Sequence, residues 1–270
     1  MDDSYFNEKV SIKSITFRDH WGNDLGLLIE KKLQNAFKNQ EILLYEVQRL
    51  EGGLVHPAYV IKCQKKNKKP DFYVIRFYEK NQTDNNEYFD RAKYFVSRMK
   101  KLTKLDHFYP SVHINEINSK GTVVLVEFFF YPVCNFETEE EIYEFFQLAF
   151  KASKNGLFLD YNQNHWLYDD NKKHLVYTDA DFIQDEMDFN QAINENFNQM
   201  TIFLQPANAH YYAFALKEFR ESSKKDKKNF YEQIFNQINY KLERLDQMEI
   251  TSSIKNRRLS YVKILEVLKE

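Results

Sequence analysis

The stretch GLFLDYNQNHWLYDDNKKHLVYTDADF, residues 156–182, decides how the chain is read. A glycine opens it, an apolar triplet leads to Asp160, and HWLY and HLVYT form two short apolar runs joined by the polar turn DDNKK. Two such runs predict a β-hairpin, which returns the chain to its own starting point. Asp160 with Asn164 or His165 then stands at one end of the first strand, and Asp179, Ala180 and Asp181 stand at the same end of the second. Carboxylates gathered with an amide or imidazole are what magnesium-dependent phosphoryl transfer requires, one orienting the attacking hydroxyl and the others holding the metal. Read alone, aspartates at strand ends are ordinary turn and capping groups.

Upstream of this stretch, Thr138 and Glu141 have the spacing of a capping box before IYEFFQLAF, a predicted helix that Asn155 and Gly156 end. From Glu41 the pattern is that of strands. ILLYEVQRL, HPAYVIKC and DFYVIRFYEK form an antiparallel meander, with Gly52 and Gly53 in its first turn and the basic tip QKKNKKP in its second. The tip's Lys65, Lys66, Lys68 and Lys69 read as a solvated turn. A helix is expected over Asn86–Leu105, followed by strands VHINEI and TVVLVEFFF around a turn at Asn118–Gly121. The first 40 residues carry a small strand, Val10–Phe17, and a helical face. Beyond Phe182 the pattern is helical to the end, with Phe230, Ile234, Ile238 and Leu242 in one stripe and a basic turn SSKKDKK at 222–228.

Composition narrows the classes. At 270 residues, 43% hydrophobic and 16% aromatic, the chain carries enough apolar mass for a packed core, and its 24 Phe and 18 Tyr read chiefly as core rather than as base-stacking platforms. The formal charge of -2 gives no general attraction to nucleic acid or anionic membrane. Six glycines, against an average usage of roughly 7%, disfavour a dinucleotide-binding sheet that spends glycine freely. Cys63 and Cys134 lack metal-ligand spacing and suggest no disulfide framework. With a polar, acidic start and no apolar run near the roughly 18 residues of a membrane span, a cytoplasmic setting without a transmembrane segment is expected.

Over Leu44 to Phe182 the chain resembles the protein-kinase-like superfamily, including aminoglycoside phosphotransferases and lipopolysaccharide-core sugar kinases. Asp160 stands where that family has its catalytic-loop Asp, and Asp179 where it has the metal-binding Asp of the DFG-type motif. DFYVIRF looks like the third strand, GTVVLVEFFFYP like the fifth strand and hinge, and the Gly52-Gly53 turn like the loop over the phosphates. The resemblance implies an α+β, bilobal fold: residues 1–131 as an N-lobe of antiparallel sheet and one helix with an N-terminal extension, and 132–270 as a mainly helical C-lobe. It also implies ATP and Mg as cofactors, with Asp160 orienting the acceptor hydroxyl and Asp179 with His165 or Asn164 on the metal. Gly52 and Gly53 would cover the phosphates, Arg76 or Lys62 would contact them, and Glu127 to Phe129 would offer backbone groups to the adenine edge.

The departures are specific. Arg76 replaces the family's third-strand Lys, a planar fork for a compact ammonium. The expected helix offers Glu87 and Asp90 only in its first turns, before Arg91, Lys93, Arg98, Lys100 and Lys101. His165 replaces the metal-binding Asn, and the glycine loop is incomplete. The expected function is therefore an ATP- and Mg-dependent phosphotransferase acting on a small-molecule or protein hydroxyl. The alternative is a pseudokinase serving as a nucleotide-binding or interaction scaffold.

Overall fold

The computed structural model describes residues 42–49, 58–65, 71–79, 94–95, 97–98, 101–102, 112–118, 121–127, 133–159, 165–169, 173–177 and 186–270, and in the first five strands the backbone. The chain divides into two compact units, one of Met1–Lys100 with Pro110–Phe130, the other of Lys101–Tyr109 with Tyr131–Glu270.

In the first unit, runs rich in Val, Ile, Tyr and Phe form β1 (Ile42–Arg49), β2 (Ala58–Lys65), β3 (Asp71–Glu79), β4 (Val112–Asn118) and β5 (Gly121–Glu127). They make one antiparallel sheet in the order β1-β2-β3-β5-β4. The meander read from the sequence is present, and β5 inserts between β3 and β4.

The second unit is mostly helical. Its elements are α1 (Glu139–Lys154), the hairpin β6 (Trp166–Asp169) and β7 (His174–Tyr177), α2 (Phe189–Met200), α3 (Ala209–Glu221), α4 (Lys225–Asp246) and α5 (Ser252–Lys269). The capping box is formed: the Glu141 amide donates to Thr138 Oγ1 at 3.3 Å, and the Thr138 amide donates to Glu141 Oε2 at 2.9 Å. It starts a helix whose buried face, Ile142, Phe145, Phe146, Ala149, Phe150 and Ser153, follows the 3.6-residue period. At the other end the Gly156 amide donates to the Ser153 carbonyl and the Leu157 amide to the Ala152 carbonyl, both at 2.9 Å. This is a Schellman closure, and it needs the φ of +67° that Gly156 adopts.

Aromatic rings fill the core around α1. Phe145 meets Trp166 at 5.1 Å and Phe136 at 4.5 Å, Phe146 meets Tyr212 at 5.4 Å, and Phe150 meets Phe219 and Phe230 at 5.4 and 5.3 Å. Such pairs add roughly 0.5–1.5 kcal/mol beyond burial, and among the described residues the largest fully buried side chains are all aromatic, in line with the reading of the aromatic abundance as chiefly core. Phe136 itself has a φ of +56°, unusual for a bulky residue. Its carbonyl accepts from buried Asn208 Nδ2 at 2.9 Å, while Asn208 Oδ1 accepts from the Gln205 amide at 2.8 Å.

One expectation is corrected. The segment 222–228 is not all turn: α4 begins at Lys225, so that only Ser222 to Lys224 connect it to α3. Asp226 in the first turn complements the helix dipole, and Lys154 Nζ lies 2.7 Å from its carboxylate, holding the carboxyl below its ordinary range chiefly through that hydrogen bond. Among the described residues, no helix is long and apolar enough to cross a membrane.

Candidate active site

Four residues on each side build the hairpin. Trp166 pairs with Tyr177 and Asp169 with His174, so the chain enters and leaves at the Trp166–Tyr177 end. His165 precedes that pair directly, half-buried, with its ring 6.3 Å from the Tyr177 ring and nearly perpendicular to it. Asp160 and Asn164 before it and Asp179 after it lie outside the described residues, as do Gly52, Gly53 and Phe129.

The hairpin is held on all sides. Trp166 and Tyr177 are fully buried, with ring centroids 4.9 Å apart. The Cys134 amide donates to the Trp166 carbonyl at 2.8 Å, and Val133 bridges to Leu167. At the turn end, His174 Nδ1 lies 3.2 Å from Glu144 Oε2 on α1. Cys134 is fully buried, which suits packing rather than nucleophilic chemistry.

The segment that leads into Asp160 is fixed by a residue the sequence reading did not single out. Asn196 on α2 is fully buried; its Oδ1 accepts from the Leu159 amide at 3.1 Å, and its Nδ2 donates to the Leu157 carbonyl at 2.8 Å and to Ser153 Oγ at 3.0 Å. One amide side chain thus joins the end of α1, the residue before Asp160, and α2. The signal was in the pattern: Asn196 occupies the stripe Ala192, Ile193, Phe197, Met200, where an apolar residue is expected. Replacing it with alanine strands a buried N–H and a buried carbonyl. Asn196→Ala is expected to cost roughly 3 kcal/mol of unfolding free energy, read by urea denaturation. Asn196→Asp is expected to cost as much, because a carboxylate oxygen then faces the Leu157 carbonyl. Full stability of the aspartate variant would contradict the donor role.

In the sheet of the first unit, register fixes relative positions along the backbone. Arg76 pairs with Ala58 and Val124, so it lies beside the first residue of β2. Lys62 pairs with Glu46 and Phe72, four positions farther along, roughly 13 Å at the usual strand rise. Glu127 closes β5 opposite Tyr73. Among the described residues, no three His, Cys, Asp or Glu side chains gather as a metal site.

No family model matches the chain, and no curated protein matches it in sequence. Among solved structures, the chain is similar to an aminoglycoside phosphotransferase from Alicyclobacillus acidocaldarius subsp. acidocaldarius DSM 446, at 10% identity and a TM-score of 0.45, covering 87% of this chain and 92% of that chain.

Proposed function

We propose that the protein is an ATP- and Mg-dependent phosphotransferase acting on a hydroxyl acceptor of a small molecule or a protein. The observation that supports this reading is the hairpin register: Trp166 pairs with Tyr177, and Asp160 and Asp179 stand six and two residues in sequence beyond that paired end. Asp160 then accepts the hydroxyl proton, and its lead-in is the segment that Asn196 fixes. Oxygen donors suit magnesium better than an imidazole does, so Asp179 and Asn164 are the assigned ligands, and His165 flanks the buried Tyr177 ring as a packing group. Bound magnesium supplies charge that offsets the phosphate oxygens. Arg76 is assigned the phosphate contact ahead of Lys62, because it pairs with Ala58, the β2 residue nearest in sequence to Gly52 and Gly53. The base edge is assigned to the backbone of Glu127 and Phe129.

Arg76 in place of a lysine supports the second reading, a scaffold that binds nucleotide and transfers slowly. A melting-temperature titration with ATP and magnesium tests what the two share. A ligand at a hundred times its Kd stabilises by about 2.7 kcal/mol, which is several degrees for a unit of this size. The shift is expected with ATP and magnesium together, and reduced in Asp179→Asn. No shift at millimolar nucleotide would overturn both readings.

A further inference from the structure

We propose that the cleft between α2, α4 and α5 is a second anion site, built for a small hydroxylated organic phosphate such as a sugar phosphate. The cleft has a volume of about 620 Å³, within the usual range for small-molecule sites, and every residue lining it belongs to the second unit. It is distinct from the segment before Asp160. Asn194, Glu195 and Asn198 of α2 line the cleft, whereas Asn196 turns to Leu157 and Leu159 on another face of the same helix.

Its charge is out of keeping with the rest of the chain. Lys241 and Arg244 from α4 and Arg257 from α5 line it against a single carboxylate, Glu195, in a protein whose formal charge is -2. Among the described residues, no carboxylate lies within ion-pair distance of any of the three cations. Three cations gathered around one carboxylate repel one another. Burial, and then Arg257, push the half-buried Lys241 ammonium below its ordinary range, with Glu195 opposing them. Two net positive charges match the charge of roughly -2 on a phosphate monoester.

The remaining lining suits the rest of such a ligand. Tyr240 is 54% exposed and offers a ring face, with the Arg244 guanidinium 5.8 Å from its centroid and Arg244 Nη1 3.4 Å from its hydroxyl. Asn194 Oδ1 is a buried acceptor with no hydrogen-bond partner, and Gln237 and Asn198 add amides. Acceptors and amides recognise hydroxyls, while arginine forks recognise phosphate oxygens.

Calorimetry on the full chain at near-physiological salt, with glucose 6-phosphate and inorganic pyrophosphate as probes, tests the site. The sugar phosphate is expected to bind at sub-millimolar Kd. Lys241→Gln and Arg257→Gln should each weaken it roughly ten- to hundred-fold, and Lys255→Gln, an exposed cation of α5 outside the cleft lining, should leave it unchanged. Without ligand, both cleft variants are expected to melt at or above the parent temperature, since each removes repulsion. They should also keep the melting response to ATP and magnesium. Binding of neither probe, or equal binding in the cleft variants, would overturn the site. Lowered ligand-free melting in both cleft variants would show structural cations instead and overturn it as well. Binding of pyrophosphate alone would overturn the hydroxylated ligand.

Discussion

Gly156→Val is expected to remove about 4 kcal/mol of stability. Two costs coincide at this position. The φ of +67° lies in the left-handed region, where a β-branched side chain is strained. A Cβ built there would also meet the Met187 carbonyl oxygen at 2.6 Å and the Met187 amide nitrogen at 3.3 Å, and both are backbone atoms that no rotamer change can move aside. The two causes are separable. Asparagine tolerates positive φ well, so if conformation alone decided the loss, Gly156→Asn would recover most of it. Because the Cβ contact persists, Gly156→Asn is expected to melt close to Gly156→Ala and far below the parent. Recovery by asparagine would show that the approach of Met187 is soft.

Asp160→Asn is expected to lower ATP turnover roughly 100- to 10,000-fold, the usual contribution of a positioned general base, while leaving the KM for ATP and the melting shift with ATP and magnesium unchanged. The asparagine is isosteric and keeps the hydrogen-bonding shape, so the loss would report proton acceptance rather than folding. Turnover within a few-fold of the parent would remove Asp160 from the catalytic role. If the parent itself shows the ATP shift but no turnover with any hydroxyl acceptor, the scaffold reading stands in place of the enzyme.

Local patterns announced much of this architecture. The five strands of the sheet could be read because β-branched and aromatic residues cluster between turn signals. α1 could be read at both ends, from Thr138 with Glu141 and from Asn155 with Gly156, because caps are chemistry local to a few residues. The hairpin strands fell within one residue of HWLY and HLVYT. Long-range pairings were not legible in this way. α2 holds Asn190, Asn194, Asn196 and Asn198, and nothing local says which of them reaches back to Leu157 and Leu159. The start of α4 was masked because a run of lysines reads as a turn until Lys154 supplies a partner for Asp226. The cationic cleft escaped notice for the same reason, since Lys241, Arg244 and Arg257 come together only when α4 and α5 pack.

The contact between Gly156 and Met187 bears on how this chain can change. The Met187 amide donates to the Gly156 carbonyl at 3.1 Å, and α1 and α2, on either side, pack against one another. Topologically, residues 157–186 are an insertion carried between the two arms of an αα-hairpin, with entry and exit pinned at one spot. Closing such an insertion costs only about 0.6 kcal/mol more for each doubling of its length. Length can therefore change cheaply in the connections of this segment, while Leu157 and Leu159, bonded to Asn196, and Trp166, packed on Phe145, must keep their places.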